Sequence, residues 1–207
     1  MKRALALMLL ATTHCYSYTT LSRAHTVGAG HVEAFAAPEA LVVPASNQVA
    51  VRPVGEIGAR IGVTDRVDLE GRVTTLGGSL AAHVQLRRDP SRFGVEAMLA
   101  PGAAFTAPDK LAFELPLVVG VNVGHDDQIV LAPRVVYQLR FDVPGLSRPL
   151  GYAFLGGSIG FAWRLVRHFT LMPEASFLGQ IWSEPGFASN YAGTVGVQLA
   201  LGALFDF

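Results

Sequence analysis

One cysteine, Cys15, two lysines, Lys2 and Lys110, and no long apolar run beyond the N-terminus set the first limits on this 207-residue chain. A single thiol leaves nothing to staple the fold from within. A helix that crosses a bilayer needs about 20 predominantly apolar residues, and here Gly, Arg, Glu, Gln and His interrupt every candidate, so transmembrane helices are excluded. Sixteen basic and sixteen acidic residues cancel, which removes the basic footprint that nucleic acid requires as a partner. Charge of either sign is also scarce: 15% of residues are charged, against about 25% in soluble domains, while 51% are hydrophobic and the mean hydropathy is +0.38. A soluble sheet would carry Lys on its wet face and edges. The other fourteen basic residues are Arg, which suits paired, partly buried charge.

What is present is a period of two. At the C-terminus Tyr191, Gly193, Val195, Val197, Leu199, Leu201, Ala203, Phe205 and Phe207 alternate with Asn190, Thr194, Gly196, Gln198, Ala200, Gly202, Leu204 and Asp206. Such a strand is much longer than the roughly 5 to 6 residues of ordinary sheets. Long alternating strands in a chain too apolar for water leave one arrangement that satisfies every backbone group inside a bilayer, the closed β-barrel.

Residues 1–15 read as an export signal: Lys2 and Arg3, the apolar run Ala4 to Ala11, then small Thr12 and Thr13. Cys15 stands where a bacterial lipoprotein signal places its acylated cysteine, although Thr12 and His14 replace the preferred Leu and small residue; the alternative is an ordinary signal in which Cys15 is incidental. Residues 16–25 then form a tether, and 26–207 the barrel.

Turn residues divide the barrel region into ten alternating segments, with eight or twelve strands as alternatives. The first runs from Thr26 to Ala37 and is followed by a loop from Pro38 to Ala50. The others span about 54–63, 66–76, 79–88, 92–105, 111–123, 129–141, 151–166, 169–182 and 190–207, with Gly77-Gly78 the clearest hairpin signal. Connections after even-numbered segments are tight, whereas three after odd-numbered ones, 38–50, 142–150 and 183–189, are longer. Outer-membrane barrels show this asymmetry, short turns in the periplasm and longer loops outside, and it places both termini in the periplasm.

Volume decides which face is inside. The apolar faces carry several tens of large side chains, and a small barrel interior seats on the order of twelve. The apolar face must therefore meet lipid. The opposite face is rich in Gly, Ala and Ser and carries Glu56, Arg60, Asp68, Glu70, Arg72, His83, Arg87, Glu96, Glu114, Arg134, Arg140, Arg164 and Glu174, a polar network fit to fill a narrow lumen. Aromatics near segment ends, Phe93, Phe113, Phe141, Tyr152, Trp163, Phe169 and Tyr191, suit interfacial girdles. A two-sheet sandwich is a weaker alternative.

From Thr26 to Phe207 the chain resembles the Gram-negative outer-membrane β-barrel proteins, on the alternating segments and on the last strand, where Phe207, Phe205, Leu201 and Leu199 match that family's terminal pattern. The resemblance implies an all-β, closed, antiparallel up-and-down transmembrane barrel in the bacterial outer membrane, contacting membrane lipids and delivered by the barrel assembly machinery, which reads the terminal residues. It implies a structural, binding or narrow-transport role. Some small barrels of this kind are enzymes acting on outer-membrane lipid. The nearest catalytic candidate here is His83 with Ser79, four residues apart; a lumen histidine bonded to Glu or Arg is the plainer reading, and the chain is expected to be non-enzymatic. No residue spacing suits a metal or another cofactor. A soluble exported barrel that binds apolar ligands is the third reading.

Overall fold

The computed structural model describes residues 17, 19–45, 48–75, 77–106, 109–124, 126–141, 148–184 and 195–207. Twelve β-segments follow in chain order: β1 Val32–Ala45, β2 Gln48–Thr64, β3 Val67–Thr74, β4 Gly77–Arg87, β5 Val95–Leu99, β6 Gly102–Thr106, β7 Lys110–Asn122, β8 Gln128–Leu131, β9 Arg134–Arg140, β10 Leu150–Val166, β11 Phe169–Ser183 and β12 Val195–Asp206. They make ten barrel strands. β5 and β6 are one strand broken at Ala100-Pro101, and β8 and β9 are one strand broken at Ala132-Pro133, because proline has no N–H to give to the ladder.

Each strand pairs antiparallel with its sequence neighbours, and the sheet closes on itself where β12 pairs with β1, Phe205 beside Ala34 and Gln198 beside Leu41. The seam ends in two backbone bonds, from the Phe207 N–H to the Val32 carbonyl at 2.8 Å and from the Val32 N–H to the Phe207 carbonyl at 3.2 Å. Closure leaves no exposed sheet edge. No helix among the described residues is long and apolar enough to cross a membrane.

The expected loop from Pro38 to Ala50 is mostly strand. β1 continues to Ala45 and β2 begins at Gln48, with Pro38 opposite Gly55 and Val42 opposite Val51. Pro38 turns outward and is exposed, so it costs only its own ladder bond, while Ala37, Glu39 and Leu41 carry the inward face onward. One of the three longer loops expected on that side is therefore a tight turn. The other two expected loops fall on 142–147 and 185–194, which lie outside the described residues.

The outward face is apolar on every strand. Ile57, Ile61, Leu69, Leu80, Leu115, Leu131, Ile159 and Leu199 are among thirty-five large hydrophobic residues left exposed. No charged residue shares that face in the middle of any described strand. Exposed aromatics collect toward both ends: Phe93, Trp163, Phe205 and Phe207 at one, Phe105, Phe113, Phe141 and Trp182 at the other. Of the expected girdle, Tyr152 is half-buried and packs inward against an apolar cluster, and Tyr191 lies outside the described residues. Leu199, Leu201 and Phe205 face outward on β12, and Phe205 stacks against Phe169 with centroids 5.1 Å apart.

Candidate functional site: a lumen filled by the N-terminal segment

The described part of the tether expected over 16–25, residues 17 and 19–25, is inside the barrel. Thr19, Thr20, Leu21, Ser22, Arg23, Ala24 and Thr26 are all buried, and the chain leaves the lumen through Gly28 and Gly30 to begin β1 at Val32. Both glycines hold positive φ, +90° and +76°, where a side chain would be strained. A Cβ on Gly62 would sit 1.7 Å from the Gly28 carbonyl oxygen, so β2 needs glycine where this turn crosses it. Gly62→Ala is expected to dislodge the turn, read as new protease cleavage near residue 28.

Wall side chains take up the backbone of this segment almost residue by residue. Glu174 accepts from the N–H groups of Thr20 and Leu21 at 2.6 and 2.8 Å, Gln128 from Ala24 at 2.7 Å, Gln85 from Thr26 at 2.8 Å and Asp68 from Val27 at 2.9 Å. In the other direction Arg72 donates to the carbonyls of Thr19 and Thr20, and Gln85 to that of Ala24. Arg134 donates to the Thr20 hydroxyl, and Arg60 to the Ser22 hydroxyl at 2.7 Å. Arg23 forks between Glu33 at 2.8 Å and Asp206 at 2.7 Å, and His25 lies 2.8 Å from the Glu96 carboxylate.

The reason for this arrangement is a charge imbalance in the wall. Among the described residues eight wall carboxylates, those of Glu33, Glu39, Glu56, Asp68, Glu70, Glu96, Asp109 and Glu174, are buried with only three equally buried wall cations, Arg60, Lys110 and Arg134. A buried charge needs a counter-charge or several hydrogen bonds. The N-terminal segment brings both, one guanidinium and a row of N–H and O–H donors.

Most of the expected polar network gathers here. Arg60 pairs with Glu33 at 2.6 Å and lies 3.7 Å from Asp68; Arg72 bridges Glu56 and Glu70; Arg134 faces Glu114 at 3.7 Å. Glu96 and Glu174 bind the N-terminal segment. Arg140 and Arg164 stand at opposite rims, paired with Asp109 at 3.0 Å and Asp206 at 3.3 Å. Arg87 does not belong to the lumen. A register shift between Gln85 and Arg87 turns it out at the end of β4, where it is exposed and 3.3 Å from Asp89. Asp89 also accepts from the Ser91 hydroxyl and N–H, which hold its carboxyl below the usual range.

His83 and Ser79 make no dyad. Four residues along one strand are roughly 13 Å apart; His83 sits between Arg60 at 3.3 Å and Glu70 at 3.5 Å. Among the described residues no group of three or more His, Cys, Asp or Glu could hold a metal ion. Truncating Arg72 leaves Glu56 and Glu70 without their shared cation and two carbonyls without a donor. Arg72→Ala is expected to lower stability by about 3 to 5 kcal/mol, measured by urea unfolding in detergent micelles.

Apolar layers close the rest of the interior. Leu21 and Ala24 of the N-terminal segment pack with Phe35, Met98, Val118, Met172 and Leu204, and a second cluster, Leu41, Val54, Val136, Phe154 and Leu178 with Ala104 and Ala112, fills the end away from Phe207. Leu21 lies against Gly202, where a Cβ would come within 2.6 Å of it.

Solved structures of bacterial outer-membrane proteins resemble this chain. Ail, the attachment invasion locus protein of Yersinia pestis, shares 8% identity over 86% of this chain and 99% of its own, with a TM-score of 0.41. The translocator domain of the autotransporter NalP from Neisseria meningitidis shares 12% over 87% and 89%, at 0.45, and the outer membrane protein OprG from Pseudomonas aeruginosa 12% over 88% and 99%, at 0.38. No protein-family model and no curated protein sequence matches the chain.

Sequence reasoning missed the N-terminal segment because its Thr, Ser and Ala have no period of their own. The network it named also left out Glu33, Glu39, Gln85, Gln128 and Gln198, which face the lumen beside the residues it included. The available signal was the inward face itself, where Glu33 and Glu39 lift the count of carboxylates above that of arginines.

Proposed function

We propose that this chain is an outer-membrane β-barrel of the filled, non-conducting kind, with a structural or binding role and no catalytic activity. The observation that carries the reading is the separation of surfaces: an uncharged apolar belt between two aromatic bands outside, and the charge paired inside. A soluble protein rarely exposes one contiguous apolar patch beyond a few hundred Å², and this belt encircles the molecule. The lumen supports the non-conducting part, since backbone, paired charges and two apolar layers occupy its length.

Phe207 at the end of β12 supports a periplasmic C-terminus through the family's terminal pattern. Ser17 is placed differently. Its hydroxyl reaches Glu39 and Gln198, roughly 25 Å along the strands from the end that holds Phe207. The described chain therefore starts deep in the lumen and not beside the C-terminus. Cys15 lies outside the described residues, and the intact mass of the mature protein tests whether it carries an acyl group.

The test of the whole reading is fractionation with the outer membrane, a compact band on unheated gels that shifts on boiling, and no single-channel conductance in planar bilayers. Extraction in aqueous buffer without detergent would overturn the membrane location, and discrete conductance steps would overturn the filled lumen. Replacing His83 and Ser79 by Ala is expected to leave lipid A and phospholipid composition unchanged. Phe207 and its neighbours on β12 are proposed as the signal read by the assembly machinery. Deleting Phe207 removes the two seam bonds to Val32 as well, and is expected to lower the assembled fraction several-fold, read from the same gel shift.

A further inference from the structure

At the end of the barrel that holds Phe207, a cavity of about 310 Å³ lies between the N-terminal segment and the rim. Its charge is lopsided. Arg23, Arg88, Arg164 and Arg167 all line it, and Asp206 is the one carboxylate side chain among the lining residues. Two of the four are held by acids: Arg23 by Glu33 at 2.8 Å as well as by Asp206, and Arg164 by Asp206 and, at 3.9 Å, by Asp126. Asp206 is also already engaged, by Arg23 at 2.7 Å and by Arg164 at 3.3 Å. Arg88 and Arg167 make no ion pair within 4 Å among the described residues, although the Arg88 charge acts on the Glu96 carboxylate.

These cations come from separate pieces of chain. Arg23 belongs to the N-terminal segment, Arg88 to the turn between β4 and β5, Arg164 to the end of β10 and Arg167 to the turn into β11. His31, just before β1, and His168 add ring N–H donors to the same lining. Exposed Arg88 and Arg167, set beside Arg23 and Arg164, give this mouth a positive potential that favours an anion. Guanidiniums bind phosphate through paired N–H donors, and Val27 and Val32 supply an apolar flank that strengthens each contact.

We infer that this cavity binds an anionic phosphate group, either free or as the headgroup of an anionic phospholipid in the adjoining leaflet. The free form does not depend on the membrane reading; the headgroup form rests on it.

The test uses the full chain as wild type, as Arg88→Ala/Arg167→Ala and as Arg148→Ala. Arg148 is an exposed arginine paired with Glu184 at the opposite end of the barrel, and serves as the charge control. In non-ionic detergent, inorganic phosphate is titrated and followed by phosphorus NMR line broadening. In nanodiscs, the rise in unfolding temperature on replacing phosphatidylcholine by phosphatidylglycerol is measured. The expected result is at least tenfold weaker phosphate binding, or loss of the phosphatidylglycerol shift, in the double variant and not in Arg148→Ala. A response in detergent assigns free phosphate, and one confined to nanodiscs assigns the headgroup. Neither substituted arginine holds a carboxylate, so the double variant should keep its compact gel band. Wild-type behaviour of the double variant in both arms, or no response of wild type in either, overturns the inference. So does equal weakening in Arg148→Ala, which would mean diffuse surface charge.

Discussion

A chain that keeps its export signal but lacks residues 17–27 is expected to lose about 5 kcal/mol of stability, a figure on the scale of breaking one well-buried ion pair. The deletion removes Arg23 from Glu33 and Asp206, and strips Glu174 and Asp68 of three backbone donors. It also takes Leu21 and Ala24 out of the apolar layer they share with Met172 and Leu204. Water entering from the Phe207 end would solvate some of the orphaned carboxylates, which keeps the loss from being the sum of all these contacts. The measurement is the temperature at which the compact gel band converts to the extended one, expected to fall by more than 10 °C. Conductance should stay low in this variant, because Leu41, Val54, Phe154 and Leu178 still pack across the far end. An unchanged conversion temperature would show that the segment is a passenger in the lumen.

The second large effect separates the membrane reading from the soluble one. Ile159 lies in the middle of β10, between Leu131 and Ala175 on the neighbouring strands, with its side chain outward. In a bilayer an arginine there meets hydrocarbon near the midplane and costs about 2 to 4 kcal/mol. In water the same change on an exposed site costs within about 0.5 kcal/mol. Ile159→Arg is therefore expected to destabilise the barrel in lipid discs by urea unfolding, while Thr75→Arg, in the exposed turn between β3 and β4, is near neutral. Equal, small effects at both positions would return the belt to solvent.

The outward face was legible because a closed sheet has one rule for it. On β12, Val197, Leu199, Leu201 and Phe205 alternate with buried Gln198, Ala200 and Leu204 as the period of two demands, and no long-range information is needed to see it. Proline misled at 38–50, since Pro38 suits a loop and also suits the outer face of a strand whose partner ladder tolerates one missing N–H. Arg87 misled for a different reason. A one-residue shift against β5 reverses its face, and such a shift leaves no mark in a single segment.

By itself the sequence determined the all-β class, the outward apolar face and the aromatic end of the last strand, all of which follow from local alternation and the obligation to pair every backbone group, and it left ten strands as one of three counts. The tertiary structure alone decided what fills the lumen. Whether Thr19 to Val27 trails in water or runs past Glu174, Arg72 and Gln85 depends on the summed charge of ten inward faces, and that sum exists only once the strands close into a ring. The same closure places Arg23, Arg88, Arg164 and Arg167 around one cavity, although 144 positions separate the first from the last.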